Sequence, residues 1–88
     1  MGEKTRKYKI NDYLDKLTVK QYRRAVQIIP KVLGVSLNTF HNYRNILCDD
    51  VQDIPYEKVI VLEMLFEMMP GELSNNKIKV DKLQDFFS

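Results

Sequence analysis

Four side chains that both donate and accept hydrogen bonds, Asn38, His41, Asn42 and Asn45, recur at intervals of three and four between Pro30 and Leu47. On a helix this spacing gathers them on one side and gathers Phe40, Tyr43 and Leu47 on the other. Planar amides match the base edges of a DNA major groove. An asparagine can exchange two hydrogen bonds with adenine, and each good pair contributes about 1–3 kcal/mol of discrimination. Ser36 and Thr39 add hydroxyls, and Lys31 and Arg44 add cations of the kind that hold phosphates. The pattern predicts a face that reads double-stranded DNA through Lys31, Ser36, Asn38, Thr39, His41, Asn42, Arg44 and Asn45. Val35, Phe40 and Tyr43 are expected in the core behind it. Taken singly, each polar residue also fits a plain solvated surface, His41 included.

Other chemistries lack the residues they need. The chain of 88 residues has one histidine and one cysteine, so neither an internal disulfide nor a cysteine-rich metal site can be built. A lone histidine makes no metal centre and no half of a catalytic pair. There is no nucleophile with a base and no glycine-rich phosphate loop. The expectation is a protein that is not an enzyme, with no cofactor, no metal and no small-molecule substrate. Cys48 is expected to be a small apolar filler.

The elements that must position the polar face follow from local signals. A short apolar element ends at Leu33, Gly34 can take the left-handed backbone that reverses a chain, and Ser36 can cap a new helix. The reading helix is therefore predicted over 36–46. Before it, Thr18 and Gln21 have the spacing of a capping box. The helix they open has an apolar stripe of Tyr22, Ala25, Val26 and Ile29 and leaves Lys20, Arg23, Arg24 and Gln27 outside. Arg23 and Arg24 are either phosphate contacts or solvated charge. Asn11 is expected to cap a short turn carrying Tyr13, Leu14 and Leu17.

The run Leu33-Gly34-Val35-Ser36, followed by Thr39, Phe40 and Tyr43, resembles the turn and recognition helix of phage-repressor and Cro-like helix-turn-helix regulators. The resemblance extends over roughly residues 19–73, and its specific part is Val32 to Tyr43. It implies a transcriptional regulator, dimeric on a pseudo-palindromic site with half-sites about 34 Å apart. One departure is Pro30, four residues before the turn glycine, where the family carries a small alanine. A proline inside a helix costs about 3 kcal/mol, so the second helix is expected to start at Pro30 or to kink there.

Charge is divided along the chain. Up to Ile46 there are ten basic and three acidic residues, a net +7; from Leu47 on, four basic face nine acidic residues, a net −5. A polyanion is drawn to the first half and repelled by the second. Residues 1–9 read as a flexible basic arm in which Lys4, Arg6, Lys7 and Lys9 can follow phosphates or enter a minor groove, or as an unstructured terminus. Leu47 to Asp53 reads as an acidic loop. Proline then opens a helix over about Pro55 to Met68 that is apolar nearly all round, with Glu63 and Glu67 as its wet strip.

The domain is expected over 10–73 and a tail over 74–88, with Lys77 to Val80 alternating as a strand does and Asp81 to Phe87 making a last helical turn. Phe86 and Phe87 pack either on the Pro55 helix or across a dimer. Val61, Met64, Met68, Phe86 and Phe87 are the expected interface. An adaptor that binds a protein partner through the apolar 55–69 helix is the alternative function. Together these readings predict an all-α bundle of four to five helices with a helix-turn-helix and a possible short C-terminal strand or turn. They place it in the cytoplasm, with no run of about 18 apolar residues to cross a membrane.

Overall fold

The computed structural model describes residues 5–75 and 80–87. Five helices follow in order: α1 Ile10–Leu14, α2 Val19–Leu33, α3 Leu37–Arg44, α4 Tyr56–Leu65 and α5 Leu83–Phe86. The protein is all-α, and no helix among the described residues is long and apolar enough to cross a membrane.

The expected capping box opens α2. The Gln21 amide donates to Thr18 Oγ1 at 3.1 Å and the Thr18 amide donates to Gln21 Oε1 at 3.1 Å, so two amides that lack helical partners satisfy one another's ends. The other end of α2 corrects an expectation. No new helix starts at Pro30; α2 runs unbroken to Leu33 with the proline in its last turn. Proline removes the hydrogen bond to the carbonyl four residues earlier, and here only three helical residues follow it. Its ring is buried, and its carbonyl accepts the Val35 amide at 3.0 Å while Lys31 accepts the Gly34 amide at 3.2 Å. With Gly34 at φ +71°, these bonds form the paired closure that ends a helix on a left-handed residue.

The same closure ends α4 without a glycine. Glu67 adopts φ +55°, its amide bonds Met64 O at 3.2 Å and the Met68 amide bonds Glu63 O at 2.8 Å. For this reason α4 stops at Leu65 instead of reaching Met68. Ser36 caps α3 as expected, its Oγ accepting the Thr39 amide at 3.0 Å, and Asn45 closes the helix.

The core is built from Tyr8, Ile10, Leu14, Ile29, Leu33, Phe40, Ile46, Ile54, Leu62, Phe66 and Leu73. Phe40 fixes α3 against it, and Val35 and Tyr43 pack from the side. Tyr13 stacks on Phe66 with ring centroids 4.1 Å apart, joining α1 to the end of α4. Lys58 reaches from α4 to the carbonyl of Leu33 at 3.0 Å, so its ammonium helps to close the end of α2. Glu63, expected on the wet strip, is buried and accepts the Leu73 amide at 3.1 Å.

The amino-terminal segment is not a flexible arm over its described part. Residues 5–9 run between two other extended pieces, with antiparallel bridges from Arg6 to Leu47 and from Tyr8 to Ser74. Lys7 and Cys48 donate backbone bonds across the first bridge, and Lys9 and Asn75 across the second. Cys48 is half-buried there and its thiol donates to Arg6 O at 3.4 Å. Lys4 and most of the predicted strand Lys77 to Val80 lie outside the described residues. The expected last turn is present as α5, and its Phe86 and Phe87 are exposed instead of packed on α4.

Candidate nucleic-acid interface

The two sides of α3 are unlike, as the spacing predicts. Phe40 has no exposed surface, whereas Asn38 and Asn42, one turn apart, are exposed. Lys31 is exposed near the end of α2, as are Lys20, Arg23 and Arg24 earlier on it. Four of the expected contact residues are partly occupied within the chain. The Ser36 hydroxyl donates to Thr39 Oγ1 at 3.0 Å, and the Asn45 side chain donates to His41 O at 2.8 Å. These bonds define the start and end of α3 and leave Asn38 and Asn42 as its outward amides.

Arg44 corrects a stronger expectation. Its guanidinium is half-buried, with Nε donating to Asn11 Oδ1 at 2.7 Å and Nη2 to Tyr22 Oη at 2.9 Å. It also stands 5.5 Å from the Tyr22 ring centroid and 5.9 Å from that of Phe40. Arg44 thus ties α3 to α1 and α2 and braces that helix, instead of reaching into solvent as expected. Nη1 lies 3.3 Å from His41 Nδ1. Because a guanidinium only donates, a neutral His41 in this contact accepts through Nδ1 and carries its proton on Nε2. Arg44→Met, which keeps the stem and removes the fork, is expected to cost about 1.5–3 kcal/mol in chemical denaturation, the range for hydrogen bonds to charged groups. Arg44→Lys should recover only part of this, since a point charge cannot reproduce the planar fork. Loss of a phosphate contact would lower the slope of any DNA affinity against salt by about one, whereas loss of an internal brace leaves that slope unchanged.

Lys7 is likewise withdrawn from any ligand. Its ammonium donates to Asp50 O, Gln52 O and Asp53 Oδ1, each at 2.9 Å. Tyr8 donates its hydroxyl to the same Asp53 oxygen at 3.0 Å and accepts the Ile54 amide at 3.3 Å. These bonds fasten the amino-terminal segment to the acidic loop ahead of α4. Of the arm residues described, Arg6 is exposed and Lys9 half-buried.

The Lys7 hydrogen bond, followed by that of Tyr8, holds the Asp53 carboxyl below its ordinary range. Hydrogen bonding to Asp53 raises the Lys7 ammonium, and burial raises the Tyr8 hydroxyl. A depressed carboxylate contributes stability that is present above its unfolded pKa and lost as pH falls through the folded value. Asp53→Asn should therefore lower the melting temperature at pH 7, and the gap to the parent chain should close as pH falls below about 4. A gap undiminished between about pH 7 and pH 2.5 would reject ionisation of Asp53 as its source.

No protein-family model, no curated protein and no solved structure matches this chain. Of the expected interface residues on and just after α4, Val61 and Met68 are half-buried against the core while Met64 is 73% exposed. Among the described residues no cluster of three or more His, Cys, Asp or Glu is placed to hold a metal ion.

Proposed function

We propose that this protein binds double-stranded DNA sequence-specifically, as a transcriptional regulator would, by laying the outer face of α3 in the major groove. The observation that carries the reading is the pairing of exposed Asn38 and Asn42, one turn apart, with the fully buried Phe40 on the opposite side of the same helix. A reading helix needs both an anchored back and an amide-bearing front. Lys31, Lys20, Arg23 and Arg24 supply exposed positive charge on the preceding helix, which favours approach to phosphates before base contacts form. The reading includes assembly of two copies on a site with two-fold symmetry.

The test is fluorescence anisotropy with a mixed-sequence duplex over a range of salt. Each phosphate neutralised contributes about −0.9 to the slope of log affinity against log salt, so three to four cations on α2 predict a slope of roughly −3 to −4 for each copy bound. Affinity absent at low salt, or present and indifferent to salt, rejects the proposal.

One observation favours a second reading. Met64 in the last turn of α4 and Met69 beyond it are 73% and 71% exposed, and flexible thioethers adapt to varied apolar partners. A protein adaptor using this face would give no salt-dependent binding to DNA, and Met64→Asp would abolish partner capture without altering the duplex titration.

A further inference from the structure

Two apolar surfaces of this chain stand open, and they carry charges of opposite sign, Arg24 beside the one and Asp81 beside the other. The first is a groove of about 340 Å³ bounded by α1, α2 and the end of α4, whose floor includes Leu17, Ala25, Ile28, Ile29, Leu65 and Phe66. Arg24 is the one charged side chain that lines it. Its α2 residues Ala25, Ile28 and Ile29 lie on a different flank from Val26, Pro30 and Lys31, which line the smaller groove beside α3. An occupant of the larger groove therefore leaves the α3 side open. The second surface is the tail. Leu83, Phe86 and Phe87 are 67%, 66% and 70% exposed, none of the α5 residues is buried, and Asp81 and Asp85 flank or interrupt the apolar set.

We propose that residues 81–87 of a second copy seat in the α1/α2/α4 groove, the phenylalanines on the apolar floor and an aspartate toward Arg24, with the exchange reciprocated across a two-fold axis. Within the described chain the tail does not occupy its own groove, which leaves the apolar ends of both surfaces to be covered by another copy. A two-fold arrangement uses both sets at once and closes. Covering the exposed parts of two phenylalanines removes roughly 200–350 Å² per tail. With the groove surface covered in return, and both copies counted, the contact totals roughly 600–900 Å², the size of a weak, transient interface. The dimer should thus be weak and concentration-dependent. This inference deepens the two-copy part of the proposed function and is read without DNA, so its failure leaves the duplex titration standing.

The experiment is analytical ultracentrifugation of the full chain from micromolar to millimolar concentration, with helical circular dichroism as the check on folding. The parent chain should pass from monomer to dimer over this range. Phe86→Asp with Phe87→Asp alters only exposed rings and should remain monomeric throughout. Ile28→Glu, at a half-exposed groove position, should do the same, and Leu65→Lys replaces it if the first variant loses helicity. The decisive arm mixes the tail variant, whose groove is intact, with the groove variant, whose tail is intact. One complementary contact is restored, and a mixed dimer weaker than the parent dimer should appear. A parent chain that stays monomeric at millimolar concentration, as closure of each tail on its own groove would give, overturns the proposal. So does a dimer indifferent to the tail substitutions, which would place the contact on another face such as the Met64 side of α4.

Discussion

Replacing Asn38 and Asn42 together by alanine should erase discrimination between a selected duplex and a mixed-sequence one while leaving the salt-dependent attraction in place. Both side chains are exposed on α3, and alanine is the residue a helix accepts most readily, so the fold should be unharmed or slightly stabilised. A bidentate asparagine contact discriminates by about 1–3 kcal/mol. Two such contacts give about 2–6 kcal/mol, or roughly 30-fold to 20,000-fold in relative affinity, at a factor of ten per 1.4 kcal/mol. The measurement is anisotropy against a duplex first selected from a random library with the parent chain. Cations on α2 are untouched by the substitution, so the slope of affinity with salt should stay where it was. Unchanged preference for the selected duplex would remove the outer face of α3 as the reader.

What the sequence made legible were the features that depend on a few neighbouring residues. The capping box at Thr18, the reversal at Gly34 and the Ser36 cap are each written in residues no more than three apart, and all three are present. The division of α3 into a buried Phe40 side and an exposed amide side is likewise a matter of period alone. The misreadings arise where a tertiary partner decides. Arg44 was legible in principle, since it follows Phe40 by four residues and so lies toward the packed side of the helix; its charge suggested solvent, and Asn11, 33 positions away in sequence, supplies the acceptor instead. Lys7 belongs to the same class, because its three acceptors come from residues 50–53. The early end of α4 has a different cause. A left-handed closure is signalled in sequence by glycine, and Glu67 takes that conformation without being one.

Phe40→Ala should have the largest effect on the fold of any single change considered for this chain. The ring has no exposed surface and lies on the inner side of α3 within the core formed with α2 and α4 residues. Truncating a buried phenylalanine costs about 3–5 kcal/mol, which combines lost transfer energy with the cavity left behind. A domain of this length has a total stability of about 4–13 kcal/mol, so the variant should be partly or wholly unfolded at 37 °C, with its urea midpoint sharply lowered. Phe40→Leu keeps most of the volume and should cost about 1.5 kcal/mol or less if the neighbours repack. The contrast with the asparagine pair carries the argument. Substitutions on the outer side of α3 should remove sequence preference at constant stability, while those on its inner side should remove stability and binding together and be relieved by cold or by stabilising osmolytes. A Phe40→Ala chain as stable as its parent would mean that α3 is not held by its apolar side, and an unanchored helix cannot present Asn38 and Asn42 in the fixed geometry that bidentate contacts require.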